Sequence, residues 1–340
     1  MSEADDIGPL IETTRHFWVY GRGVRPSLEL EHNITFLLNV SGLVGESPAG
    51  KLAVAPGHDL RRADKQEVQA IKDILGDYGA ERISWYPWEC AKSADGKFTK
   101  LPEDQWRYFV IAFTGPTATI EEIQYALSIA PLDIRIAFTL MSRPFPNKGP
   151  GLLFNPGRLF NSVQEVQVYK RLLPVVDLTM SDVEDMNRLR NQLRSVEPGI
   201  IDSKRAIQQM LDLEALSNES PLLFLGYFAI LESQLTHQPK PTDTIDSITR
   251  QIVKKLTLLD NRWEPRIDYR PFQGAKPDTI WSTMYRYRSS LAHGGEPDFK
   301  HDLVLLQDHE CALKLLKVTL KAVLRQALIE PQLITDLRNC

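Results

Sequence analysis

The stretch PLLFLGYFAIL, from Pro221 to Leu231, constrains this chain more than any other feature. It carries no charge over eleven residues and stops at Glu232. A bilayer crossing takes about 20 apolar residues, so this run is too short to span one. As a helix it is apolar on every side, and such a helix has to be surrounded by other elements. The sequence therefore predicts the central, buried helix of a bundle. Segments with helical spacing surround it after Ser181: VEDMNRLRNQLRSV, SKRAIQQMLDLEAL, TIDSITRQIVKKLTLLD, DTIWSTMYRYRSSLAHG and DLVLLQDHECALKLLKVTLKAVLRQAL.

The first half follows a different pattern. FWVYG, NITFLLNVSG, KLAVAPG, RISWYPWEC, RYFVIAFTG and LDIRIAFTLM are rich in β-branched and aromatic residues and bounded in several places by Gly or Pro, as strands are. DKQEVQAIKDILGDYG and TIEEIQYALSIA have helical spacing between them. RPFPNKGPGLLFNPG, from Arg143 to Gly157, concentrates Pro and Gly and predicts a long loop. The expected fold class is α+β: a β-rich α+β domain over residues 1–175, then an all-helical bundle over 181–340. A length of 340 residues suits two such units.

Charge and cysteine content narrow the function classes. The net charge of −4 argues against a general nucleic-acid binder. From Arg250 to Arg288, however, nine Lys or Arg stand against four acids. Arg250, Lys254 and Lys255 in that strip are candidate RNA-binding residues, although a solvated helix and loop explain the same charges. Three scattered cysteines without a CxxC pair imply neither a disulfide framework nor a zinc site. The acidic start MSEADD lacks the basic region of a signal peptide, and we expect a cytoplasmic protein without a membrane segment.

The familiar enzyme signatures are missing. GRGVRP at Gly21 lacks the third glycine of a dinucleotide loop, and no GxxxxGK[ST], HExxH, GxSxG or EF-hand pattern occurs. His16, His32 and His58 are scattered among strands and turns. His301 and His309 on one helix would stand about two turns apart, too far to share a metal ion. Asp302 and Asp308 beside them suit a helix start. The cluster Trp85, Tyr86 and Trp88 reads as core. No cofactor is expected.

One segment remains, YRYRSSLAHGG from Tyr285 to Gly295. On a helical wheel Ile280, Met284, Tyr287 and Leu291 form an apolar stripe, with Arg288 at its margin and Arg286 nearly opposite. Gly294 and Gly295 favour a stop there, which places His293 at the helix C-terminus. This pattern, with LFLGYFAILESQLTH and the basic TRQIVKKL before it, resembles the HEPN superfamily, in particular its ApeA-like branch. The likeness covers roughly Ser220 to Leu328.

The resemblance implies a helical bundle that forms a homodimer. It also implies a metal-independent ribonuclease carrying an Arg-x4-6-His motif. Arg288 takes the arginine position, SSLA the spacer and His293 the histidine position, while Arg286 fits the longest spacer. Ser289 stands where many catalytic members have Asn, Asp or His, a departure that favours a non-catalytic module. Glu232 occupies the place of a glutamate common on the preceding helix. The resemblance further implies a role in toxin or anti-phage defence by cutting RNA, with tRNA as a candidate. The first domain would then sense an activating ligand or bind a protein partner. The chemistry is coherent in itself, because RNA carries its own nucleophile and needs only a proton-moving group and a cation at the phosphate. The structural alternative is equally concrete: Arg288 holds Glu232 in an ion pair, and His293 ends a helix.

Overall fold

The computed structural model describes residues 18–19, 30–45, 50–77, 88–92, 97–115, 117–145, 149–155, 176–195, 202–237 and 247–340. His16, Gly21, Trp85 and Tyr86 lie outside these residues. The chain divides into two compact units, one of 1–127 with 132–188 and one of 128–131 with 189–340. No helix among the described residues is long and apolar enough to cross a membrane.

The first unit is built on an antiparallel sheet of seven strands. In chain order its strands are β1 (Trp18–Val19), β2 (Asn33–Leu37), β4 (Lys51–Ala55), β5 (His58–Arg62), β8 (Phe109–Phe113), β9 (Ile136–Phe145) and β10 (Gly149–Asn155). Their spatial order is β1-β10-β9-β2-β8-β5-β4. Two small sheets accompany it. In one, β3 (Val40–Val44) pairs in parallel with β11 (Val176–Thr179); in the other, β6 (Cys90–Lys92) pairs with β7 (Phe98–Lys100). The helices are α1 (Lys65–Asp77), α2 (Ala118–Ile129) and α3 (Met180–Ser195), and the division between the units falls within α2 and within α3.

Alternation along β2 sorts the core into two faces. Ile34 and Phe36 pack with Val110, Phe138 and Leu140 and with Ile71 and Leu75 of α1. Phe36 sits at the centre, its ring 5.4 Å from Trp88, 5.9 Å from Tyr108 and 5.5 Å from Phe138. Trp88 donates its indole N–H to the Leu38 carbonyl at 2.7 Å, so it is a satisfied core residue, as its pattern predicts. On the other face Leu37, Ile111, Leu60, Leu127, Val183 and Met186 surround a small apolar void. Burial on both faces explains why β8, FVIAF, is buried at every position and shows no alternation. At the start of α1, Asp64 accepts the Glu67 N–H while Glu67 accepts the Asp64 N–H, a capping box that Arg61 closes with two bonds of 2.7 and 2.8 Å.

The predicted long loop at Arg143–Gly157 needs correction, because β9 runs to Phe145 and β10 returns through Asn155 as a hairpin. Pro144 and Pro150 oppose one another beside the pair Phe145 and Gly149, while residues 146–148 and 156–157 of the expected loop lie outside the described residues. A proline there gives up a ladder donor that a strand end tolerates, so composition alone misled the assignment.

The second unit is helical: α4 (Ser203–Leu213), α5 (Pro221–Leu235), α6 (Ile248–Asp260), α7 (Pro277–Ala292), α8 (His309–Ile329) and α9 (Pro331–Asn339). Local chemistry fixes the starts. Asp202, Ser247 and Asp308 accept from the backbone N–H three residues on, and Pro221, Pro277 and Pro331 each open a helix where the missing N–H costs nothing. The sequence places helical pattern from Asp302, but α8 begins at His309, after a short 3₁₀ turn over Val304–Leu306. His301 and His309 therefore do not share a helix.

α5 is the hub, packed against α4, α6, α7, α8 and α9. Gly226 permits the closest approach, since a Cβ there would stand 2.6 Å from the methyl carbons of Leu213. The expectation of burial on every side holds for most of the helix, including Leu223, Phe224, Tyr227, Phe228 and Leu231. It fails along Leu222, Ala229 and Ser233, which are exposed; Leu222 is 63% exposed. The neighbouring helices do not close over that strip.

Candidate functional site

Helix α7 carries the segment of interest, and local backbone bonds fix its end. Gly294 has φ +72° and donates to the Leu291 carbonyl at 3.2 Å, and Gly295 donates to the Ser290 carbonyl at 2.9 Å. These two bonds form a Schellman motif with His293 at the C-cap. Gly294 supplies the left-handed conformation that a residue with a side chain resists. Gly295 supplies room, because a Cβ there would lie 2.9 Å from the Ser290 hydroxyl oxygen. His293 is consequently held at the helix terminus with its side chain exposed, as the Gly-Gly pair predicts.

Arg288 lies one and a half turns earlier and is half-buried. Its Nη2 donates to Glu232 Oε2 of α5 at 3.1 Å, and its guanidinium carbon stands 5.8 Å from the centre of the Tyr285 ring. Tyr285 in turn meets Phe228 of α5 edge to face at 6.0 Å. The Glu232 side chain is 16% exposed and that of Arg288 is 30% exposed. Glu232 Oε1 is buried without a hydrogen-bond partner. Burial pushes the Glu232 carboxyl above the ordinary range, and the charge and hydrogen bond of Arg288 oppose that shift. The contact is a single bond between groups that could make two, so each retains unused bonding capacity.

The other predicted residues are distributed unevenly. Ser289 is half-buried beside Arg288. Arg286 is exposed on another side of α7, with Nη1 bonded to the Asp302 carbonyl at 3.2 Å, so the structure does not draw it to Glu232. Arg250 and Lys254 are exposed on α6. Lys255 corrects an expectation: it is buried, and its ammonium donates to Gln251 Oε1 at 3.3 Å and to the Cys340 carbonyl at 3.0 Å. Its position on α6 turns it inward, so it adds no charge to a surface strip. Two other cations of that strip are already paired, Arg262 with Glu330 at 2.9 Å and Arg270 with Asp268 at 2.8 Å. Arg270 holds the exposed Asp268 carboxyl down at about 2. The basic strip is thus weaker than its composition suggests.

Sequence reasoning missed one arrangement. Tyr287, buried within the apolar stripe, has its hydroxyl 2.6 Å from Nδ1 of His309, and His309 Nε2 lies 2.9 Å from the Asn218 carbonyl. A carbonyl only accepts, so Nε2 carries a proton toward Asn218. In the neutral ring Nδ1 then accepts from Tyr287, whose hydroxyl burial pushes up to about 12. Spacing could not have shown this, because Asn218, Tyr287 and His309 come from three separate parts of the chain. His301, by contrast, is exposed and pairs with Asp298 at 2.7 Å, which raises its pKa.

Among the described residues no group of three or more His, Cys, Asp or Glu is arranged to hold a metal ion. Searches of the chain against protein-family models, curated proteins and solved structures return no match.

Proposed function

We propose that the helical unit is a HEPN-like, metal-independent endoribonuclease of the toxin or anti-phage kind, acting as a homodimer on RNA, with tRNA as a candidate substrate. The observation that supports this reading is the end of α7. A half-buried guanidinium with spare donors, Arg288, precedes by five residues an exposed histidine, His293, whose backbone a Schellman motif fixes at the helix end. Five helical residues span about 7.5 Å along the axis. In this reading Arg288 binds nonbridging phosphate oxygens, and neutral His293 removes the proton of the 2′-hydroxyl. The 2′-oxygen attacks phosphorus and the bond to the 5′-oxygen breaks. That oxygen leaves with a proton, which a protonated imidazole of the second copy supplies. The products are a 2′,3′-cyclic phosphate and a 5′-hydroxyl. Arg250 and Lys254 contribute sequence-independent attraction. The first unit is the place for an activating ligand or protein partner.

The test is incubation of the purified full chain with mixed tRNA in EDTA, reading the ends produced. Cleavage with cyclic-phosphate ends is expected, falling by about 10²–10⁴ in His293→Ala, the range for loss of a general acid or base. Intact tRNA, or equal cleavage by the variant, overturns the reading.

One observation favours a second reading. Arg288 is already engaged by Glu232, and Ser289 follows it, which suits a HEPN-like dimerisation or nucleic-acid- and protein-binding module that does not cut. Binding of tRNA without cleavage, unchanged in His293→Ala, is its expected outcome.

A further inference from the structure

The contact between Arg288 and Glu232 is incomplete in a way that implies a coupling. Glu232 places one carboxylate oxygen on the guanidinium, while the other, Oε1, is buried with no donor. An ionised carboxylate with an unsatisfied buried oxygen is costly, and a single cation offsets that cost. That cation is Arg288 of α7. Tyr285 of the same helix presents its ring to Arg288 and to Phe228 of α5. No other charged side chain of α4, α6, α8 or α9 bears on the Glu232 carboxyl among the described residues. The guanidinium is the more exposed partner and the carboxylate the more buried one. An anion arriving from solvent therefore meets Arg288 first and competes with Glu232 for it.

We propose that the Arg288–Glu232 pair is a proton-coupled phosphate latch: a phosphodiester oxygen takes the guanidinium, and the Glu232 carboxylate, deprived of its cation, takes up a proton from water. The inference rests on the assignment of Arg288 to phosphate made above. By linkage, phosphodiester affinity rises as pH falls toward the carboxyl's own titration, and a neutral side chain at position 232 removes the coupling. The balance is one proton from solvent onto a Glu232 oxygen, with no covalent change in the ligand.

The test uses the full chain and a short single-stranded oligodeoxythymidylate, which lacks the 2′-hydroxyl and cannot be cut, and whose phosphodiesters do not titrate near neutrality. Calorimetry in two buffers of different ionisation enthalpy counts the protons taken up on binding. A contribution from His293 is common to wild type and Glu232→Gln and cancels between them. The expected result is proton uptake by the wild type in excess of that by Glu232→Gln, with the variant binding about three- to tenfold more tightly, and Arg288→Ala showing neither effect. A denaturation curve for each variant establishes that it is folded. Equal proton uptake, or affinity in Glu232→Gln no higher than in the wild type, overturns the latch. If tRNA is still cut in that case, the cleavage reading stands without it. Absence of binding in wild type and Glu232→Gln overturns the latch together with the phosphate role of Arg288. Proton-coupled binding alongside intact tRNA keeps the latch and removes the cleavage reading.

Discussion

Tyr287 and Arg288 are neighbours on α7, yet their surroundings differ in kind. The Tyr287 hydroxyl belongs to a closed chain in which every polar atom has a partner: Tyr287 donates to His309, and His309 donates to the Asn218 carbonyl. Arg288 belongs to an open pair, with one bond to Glu232 and a buried carboxylate oxygen left over. A closed chain resists change because removing the Tyr287 hydroxyl strands the part-buried His309 Nδ1. An open pair tolerates exchange of partners. The difference separates a residue whose bonding is complete from one that keeps unused bonding capacity, although they are adjacent, Tyr287 within the apolar stripe and Arg288 at its edge.

The largest effect expected from this comparison lies in the closed chain. Tyr287→Phe keeps the ring and removes the donor, leaving His309 Nδ1 without a partner, and should cost about 1–3 kcal/mol in a denaturant titration. The double variant with His309→Ala should cost less than the sum of the single changes, because the two residues share one interaction. Full additivity would mean that the chain is not a unit, and the contrast with Arg288 would lose its basis. Gly294→Ala tests the other end of the helix. At φ +72° the new Cβ is strained, and a loss of about 1 kcal/mol in thermal stability is expected, with displacement of His293 from its cap. Unchanged stability would show that the Schellman turn is not what fixes the end of α7.

The smallest effect is assigned to the open pair. Glu232→Gln should change stability at neutral pH by no more than about 1 kcal/mol, since it loses an ion pair but also the burial of a charge. Its sign follows from the raised carboxyl pKa. In the window between the unfolded and the raised folded value, the folded protein binds more protons at Glu232. That contribution to stability is complete below the unfolded pKa and is lost as pH rises through the folded one. Wild type should therefore weaken relative to Glu232→Gln on going from acid to neutral pH. A difference in melting temperature that does not vary with pH, or varies the other way, would contradict the electrostatic account of the pair.

Much of this architecture was legible in the residues. The change from strand to helix patterning, the apolar hub PLLFLGYFAIL and the Gly-Gly stop after His293 all act through neighbours in sequence, so pattern alone identifies them. The misreadings have separate causes. The β9–β10 hairpin was hidden by its prolines because strand pairing is a contact between distant segments that outweighs local composition. α8 begins later than its pattern suggests because Asp308 caps it and a 3₁₀ turn precedes it. Lys255 appears in the sequence as one more surface cation, and only packing turned it inward.

The sequence by itself determined the periodicities, the stop of α7 at the Gly-Gly pair, and the presence of an arginine and a histidine near that helix end. Those are properties of a few consecutive residues, fixed by backbone geometry and local hydrogen bonding. The tertiary structure alone decided that Arg288 meets Glu232 across 56 positions of chain and that one oxygen of that glutamate is left unpaired. It alone joined Asn218, Tyr287 and His309. Burial and pairing depend on which distant segments pack together, and no local pattern encodes the free energy of a charge that packing removes from water.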